Sequence, residues 1–325
     1  MLNRWTRLPK PALRLAAVAA IALLLAACKR EPQPIEGAPD EPVAAVEALA
    51  GALAQGDLVA YSRLSLPPEL RAKQAELWRQ QMAAPIPLAD EKVRRYNELM
   101  ATLTAPDAEA QLWAHAEPRL AAMQEQVGPR WAMGVTMLSG FATAAIAADP
   151  TLSDAEQSHA EGVVGAVSDW AKDQANFTDP ARAQQAIGIA VRTARAMELP
   201  TLEAARTLEY DAMLGKASVA FRGTKEIASA FGVDVGAALA QVQAEVVELE
   251  GNRAVVRVRY PLLGKEVSFE QPMVQVGDGW YREDAIQSLE KALAEQAASA
   301  PPAVAAEPAI DAAVTDAAPA AAPAP

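Results

Sequence analysis

From Val43 to about Ala240 the apolar positions recur three and four residues apart, the spacing that places side chains on one face of a helix. The clearest stripe is Val46, Leu49, Ala50 and Leu53, which runs into the stop signal Gly56-Asp57. Pro67-Pro68 precedes a second helical stretch with Leu70, Leu77 and Trp78, and Val93, Tyr96, Met100 and Leu103 mark a third. Ser153-Asp154-Ala155-Glu156 fits a capping box, in which two side chains satisfy orphan amides, and opens a helix through Val163, Val167 and Trp170. Asp179-Pro180 starts the next, with proline where the amide would be unpaired anyway. Thr201 is the expected cap of another, with Leu202, Ala205 and Leu208 inward.

The period then changes from 3.6 to two. Ala244 and Val246, then Ala254, Val256, Val258 and Tyr260, alternate with polar neighbours, and Gly251-Asn252 between them is a tight hairpin signal. Val267 and Phe269 mark a third strand, and Gly277-Asp278-Gly279 turns into a short fourth, Trp280-Tyr281-Arg282. Ile286, Leu289 and Leu293 describe a closing helix. The pattern predicts an α+β, mostly helical protein. A helical domain over 42–240 is followed over 241–297 by an antiparallel meander of three to four strands with one wet face, and then by that helix.

One stretch has no polar face. Trp131 to Ala148 is uncharged throughout and reaches the lower limit for a membrane span. Its richness in Ala, Gly, Ser and Thr favours a buried helix at the centre of a bundle, approached closely by its neighbours.

The two ends read differently from the middle. Four cations (Arg4, Arg7, Lys10, Arg14) precede an apolar run from Leu15 to Ala27 with no acid, the order of a secretory signal. Residues 298–325 are a low-complexity Ala/Pro tail that cannot bury a core, so disorder is expected there. The whole chain carries a formal charge of −12, and without residues 1–27 it carries −16. Such a polyanion is a poor partner for nucleic acid, whose binding rests on neutralised phosphates.

The single cysteine, Cys28, follows Leu25-Ala26-Ala27, and this stretch resembles the lipobox of bacterial lipoproteins. The resemblance implies a signal peptide over 1–27, cleavage after Ala27, and acyl chains on Cys28 that hold the protein to a membrane. Residues 28–41 then read as the lipidated Cys and a Pro-rich tether. With Lys29 rather than Asp next in the chain, the family's sorting rule implies the periplasmic face of the outer membrane.

Two further segments, 42–70 and 244–284, resemble the opening helices and the sheet of small nuclear-transport-factor-two-like lipoprotein domains, down to the closing Gly-Asp-Gly-Trp-Tyr strand. In that family a curved sheet wraps helices into a cone whose mouth takes small ligands or partners. The resemblance implies that fold here, with a large helical insertion between its halves, and transfers no catalytic residue.

Candidate chemistry is sparse. His115 and His159 belong to no metal-ligand spacing, no Gly-x-Ser-x-Gly elbow or phosphate loop occurs, and no cofactor is predicted. Arg253, Arg257, Arg259, Lys265 and Arg282 concentrate positive charge on the sheet of an acidic protein. Arg257 and Arg259 share one face, opposite Val256 and Val258, and with Arg282 they are candidates for an anionic ligand or acidic partner. The competing reading is a solvated face balanced by Glu248 and Glu250. The expected function is a non-enzymatic, lipid-anchored envelope protein that binds a partner or supports an assembly. The alternative is a small-molecule carrier with a cone-like cavity between sheet and helices.

Overall fold

The computed structural model describes residues 37–83, 90–127, 130–149, 152–173 and 175–299. The predicted signal peptide, Cys28, most of the tether and the segment 300–325 lie outside the described residues. Helices come first: α1 (Pro42–Gln55), α2 (Leu58–Ser65), α3 (Pro68–Ala83), α4 (Asp90–Thr104), α5 (Ala108–Val127), α6 (Trp131–Ala147) and α7 (Asp154–Ala171). They continue with α8 (Ala175–Thr178), α9 (Pro180–Met197), α10 (Leu202–Ala205), α11 (Tyr210–Ala230) and α12 (Val235–Ala240). Four strands follow, β1 (Gln243–Glu250), β2 (Arg253–Leu262), β3 (Lys265–Val276) and β4 (Gly279–Arg282), and α13 (Glu283–Ser299) closes the chain. The architecture is α+β and mostly helical, as the change of period predicts.

Local chemistry sets the boundaries. Gly56 ends α1 in the left-handed region (φ 70°), and the amides of Gly56 and Asp57 turn back to Leu53 O and Ala52 O. The Asp57 side chain then caps α2 by accepting from the Ala60 amide at 2.9 Å. The Ser153/Glu156 capping box is complete, Asp179 accepts from the amides of Ala181 and Arg182, and Thr201 accepts from Ala204 N. The helix that Thr201 caps is a single turn, after which the chain restarts as α11.

The sheet is an antiparallel meander in the order β1-β2-β3-β4. Gly251 and Gly277 take positive φ at two of its turns. The third turn places Leu263 (φ 51°) before Gly264 (φ 82°), a left-handed leucine that the sequence does not announce. A register shift between Val246 and Glu248 interrupts β1, and beyond it Leu249 is exposed.

One face of the sheet is covered by helices. Val256, Val258, Met273 and Trp280 are buried against Ala45 and Val46 of α1, so the first helix of the chain completes the core of the last sheet. The second helix on that face is α7, where Gly162 faces Val267 and Lys265 of β3 pairs with Asp169 while donating to Gly165 O. Leu289 of α13 packs with Leu66 and with Leu77 of α3, tying the closing helix to the helical region. On the far side α9 runs against α11, close enough that Gly223 abuts Thr193.

The helix α6 is not the buried centre of a bundle. None of its residues is buried, and Met133, Met137, Leu138 and Phe141 are 64%, 60%, 70% and 68% exposed. Its small residues do allow close approach, but α7 is its main partner and covers one side only. A helix without a polar face is buried only if elements arrive on all sides, and here they do not. Among the described residues no helix is long and apolar enough to cross a membrane.

Candidate functional site

Between α1, α12 and the covered face of the sheet lies a cavity of about 290 Å³. One wall is the stripe Val46, Leu49, Ala50 and Leu53, so the helical periodicity of α1 lines a space as well as a core. Val258 and Tyr260 of β2 and Phe269 of β3 form the opposite wall. Of the lining side chains only Tyr61, Tyr260, Gln271 and Arg282 are polar, and the rest are aliphatic or Phe269. An apolar enclosure with a few convergent polar groups is the general form of a small-molecule site.

Strand parity delivers Arg282 to this cavity. Its register partner is Met273, a fully buried member of the core, so Arg282 stands on the covered face at the sheet's edge. Its Nε donates to Asp284 Oδ1 at 3.1 Å, its Nη2 to Asp284 Oδ2, and its Nη1 to the Tyr61 hydroxyl. Gln271 Nε2 donates to the same Asp284 Oδ1 at 3.2 Å. Burial opposes the charge of Arg282, but its bonds to Asp284 and Tyr61 outweigh that and hold its pKa above the ordinary value.

A second polar contact sits behind the opposite wall. His159 Nε2 of α7 and the Tyr260 hydroxyl share a hydrogen bond at 2.9 Å, and the imidazole stacks at a tilt on Phe269 with centroids 4.9 Å apart. Burial holds the imidazole below its ordinary pKa and the Tyr260 hydroxyl above its own. His159 is therefore neutral near pH 7. His115 lies elsewhere, exposed on α5 and bonded to Gln111 O.

The structure separates the three candidate arginines. Arg257 and Arg259 lie together on the outer face of β2, opposite buried Val256 and Val258. Arg257 pairs with Glu245 at 3.4 Å and Glu270 at 3.0 Å, and Arg259 pairs with Glu245 at 3.1 Å. Their acids are thus cross-strand neighbours, not the Glu248 and Glu250 expected from the sequence. Arg253 pairs with Glu283 and Lys265 with Asp169, so each cation of the sheet cluster meets a carboxylate of the chain itself. Cys28 lies outside the described residues.

The side chain that sequence reasoning does not find is Tyr61. It belongs to α2, and only the folding of α2 beside β4 brings its hydroxyl to Arg282, 221 residues away. No local spacing encodes that meeting. Among the described residues no group of three or more His, Cys, Asp or Glu side chains is placed to hold a metal ion. Comparison of the chain with protein-family models, with curated proteins and with solved structures finds no match.

Proposed function

We propose that this chain is a non-enzymatic, lipid-anchored envelope protein that holds a small, largely apolar molecule in the cavity beneath its sheet. The observation that carries the reading is the cavity itself, whose walls are apolar except at Tyr61, Tyr260, Gln271 and Arg282. The anchoring half rests on Cys28 and the signal-like segment before it, which would hold the protein at the periplasmic face of the outer membrane. Two buried acyl chains suffice for stable attachment, and a chain this acidic gains nothing from anionic headgroups.

Two readouts test the proposal. Metabolic labelling with a fatty acid is expected to mark the wild type and not Cys28→Ser; a label surviving that substitution refutes the anchor. Titration of the mature chain with an apolar fluorescent probe is expected to saturate at one probe per chain. Ala50→Phe, which fills the cavity from α1, is expected to abolish that binding while the fold persists. Unchanged binding by a folded Ala50→Phe protein refutes the cavity.

A second reading, attachment of a partner protein, is favoured by one feature. The exposed side of α6 presents Met133, Met137, Leu138 and Phe141 together, and contiguous exposed apolar surface marks interaction sites. Loss of a crosslinked partner on Phe141→Glu, with probe binding intact, would assign the partner to that helix.

A further inference from the structure

The cavity beneath the sheet adjoins a second one of about 560 Å³, framed by α2, α3, α11 and α13. The two differ in character. Beneath the sheet the walls are nearly all apolar, whereas the second chamber exposes Ser62, Ser65, Tyr210, Asp284 and Ser288. Gln74 lines it as well, and its Oε1 is shielded from solvent with no hydrogen-bond partner among the described residues. Only Tyr61 and Arg282 line both chambers, and the hydrogen bond between them is the partition.

That partition is rich in donors. A guanidinium carries five N–H bonds, and Arg282 uses three of them on Asp284 and Tyr61. One N–H on each Nη remains. The Tyr61 oxygen accepts from Arg282, so its own hydrogen is left for another acceptor. Asp284 is the carboxylate at the junction, and it already receives Arg282 twice and Gln271 once. A group arriving there has Tyr61 O–H and two Arg282 N–H groups available to it, with apolar walls on one side and on the other a mixed chamber in which Ser62, Ser65, Tyr210 and Ser288 interrupt leucines and alanines.

We propose that the two chambers are one bipartite site for an aliphatic carboxylate. Its chain lies beneath the sheet, and its carboxylate displaces nothing but takes the spare hydrogens of Arg282 and Tyr61 at the partition. The inference rests on the ligand-holding reading of the cavity and adds the class of ligand and the pair that selects it.

The test compares decanoate with 1-decanol, which share a chain and differ in the head group, on the mature chain carrying Cys28→Ser. Decanoate is expected to bind about tenfold or more tighter than decanol, because hydrogen bonds to a charged acceptor are stronger than neutral ones. In Tyr61→Phe, which keeps the ring, and in Arg282→Gln, that ratio is expected to fall toward one. Asp284→Asn removes the competing carboxylate and is expected to tighten decanoate and leave decanol where it was. Equal affinity for the two probes in the wild type, or a preference that survives both Tyr61→Phe and Arg282→Gln, overturns the head-group inference while leaving the cavity reading intact. Binding of neither probe by folded wild type overturns the cavity reading itself.

Discussion

The contact between α9 and α11 gives a prediction with two opposite signs inside one helix. Gly215 and Gly223 both lie within α11. A Cβ at Gly215 meets nothing within 4 Å, so Gly215→Ala only restricts the unfolded chain and is expected to stabilise by about 0.5–1 kcal/mol. A Cβ at Gly223 would sit 2.1 Å from Thr193 Oγ1, 2.4 Å from Cγ2 and 2.8 Å from Cβ. Rotating the threonine relieves the first two contacts and cannot relieve the third, since Cβ is fixed to the α9 backbone. Carbon atoms rest at about 3.5–4.0 Å, so α9 and α11 must part by the better part of an ångström. Overpacking of this kind costs roughly 1–3 kcal/mol, which offsets or exceeds the helix-propensity gain and leaves Gly223→Ala less stable than wild type by about 0–2.5 kcal/mol. Urea unfolding of the two single variants, the wild type and Gly223→Ala/Thr193→Ala measures the signs and the coupling. The double variant is expected to recover part of the loss, because it removes Oγ1 and Cγ2 but leaves Cβ. Equal stabilisation by Gly215→Ala and Gly223→Ala would show that the helices do not approach as described.

Two further outcomes follow from single side chains. His159 is held below its ordinary pKa of about 6.5 by burial, so the unfolded chain takes up its proton at a higher pH than the folded one. Its contribution is therefore complete above pH ~6.5 and is lost as the pH falls toward the lower folded value; stability measured between pH 8 and 5 should decline more steeply in wild type than in His159→Gln, and identical slopes would refute the desolvation of this half-buried imidazole. On α6, Phe141→Ser is expected to change stability by less than about 0.5 kcal/mol because the ring is already in water, whereas a loss of about 3 kcal/mol or more would return α6 to the interior.

The contrast between α1 and α6 shows how far pattern reaches. In α1 the bulky residues of a helical stripe, Val46, Leu49 and Leu53, stand among alanines with Glu47 off the stripe, so the sequence says both that a helix forms and which side turns inward. Gly56-Asp57, Ser153/Glu156, Asp179-Pro180 and the Gly251-Asn252 turn act on amides a few residues away, and each takes the conformation its chemistry predicts. In α6 every side is apolar or small, so the sequence specifies a helix and leaves its burial to the number of elements that happen to cover it.

The helical and strand periods, the ends marked by a cap or turn signal, the change from helix to meander near Ala240 and the acidic charge are therefore legible in the chain alone, whereas the helix that Thr201 opens stops at Ala205, short of Leu208. Those follow from interactions between near neighbours, whose spacing is written in the chain. What those elements enclose is set by packing between residues far apart in the chain. The cavity needs α1, α12 and β2 to β4 to converge, and the partition needs Tyr61 to meet Arg282 across more than two hundred residues. Sequence proximity groups Arg282 with Arg257 and Arg259, yet pairing with Met273 turns it to the covered face while the other two remain outside, held by Glu245 and Glu270. Which face a side chain joins depends on the register of a strand beside its partner, and that register is fixed by packing rather than by the residue itself.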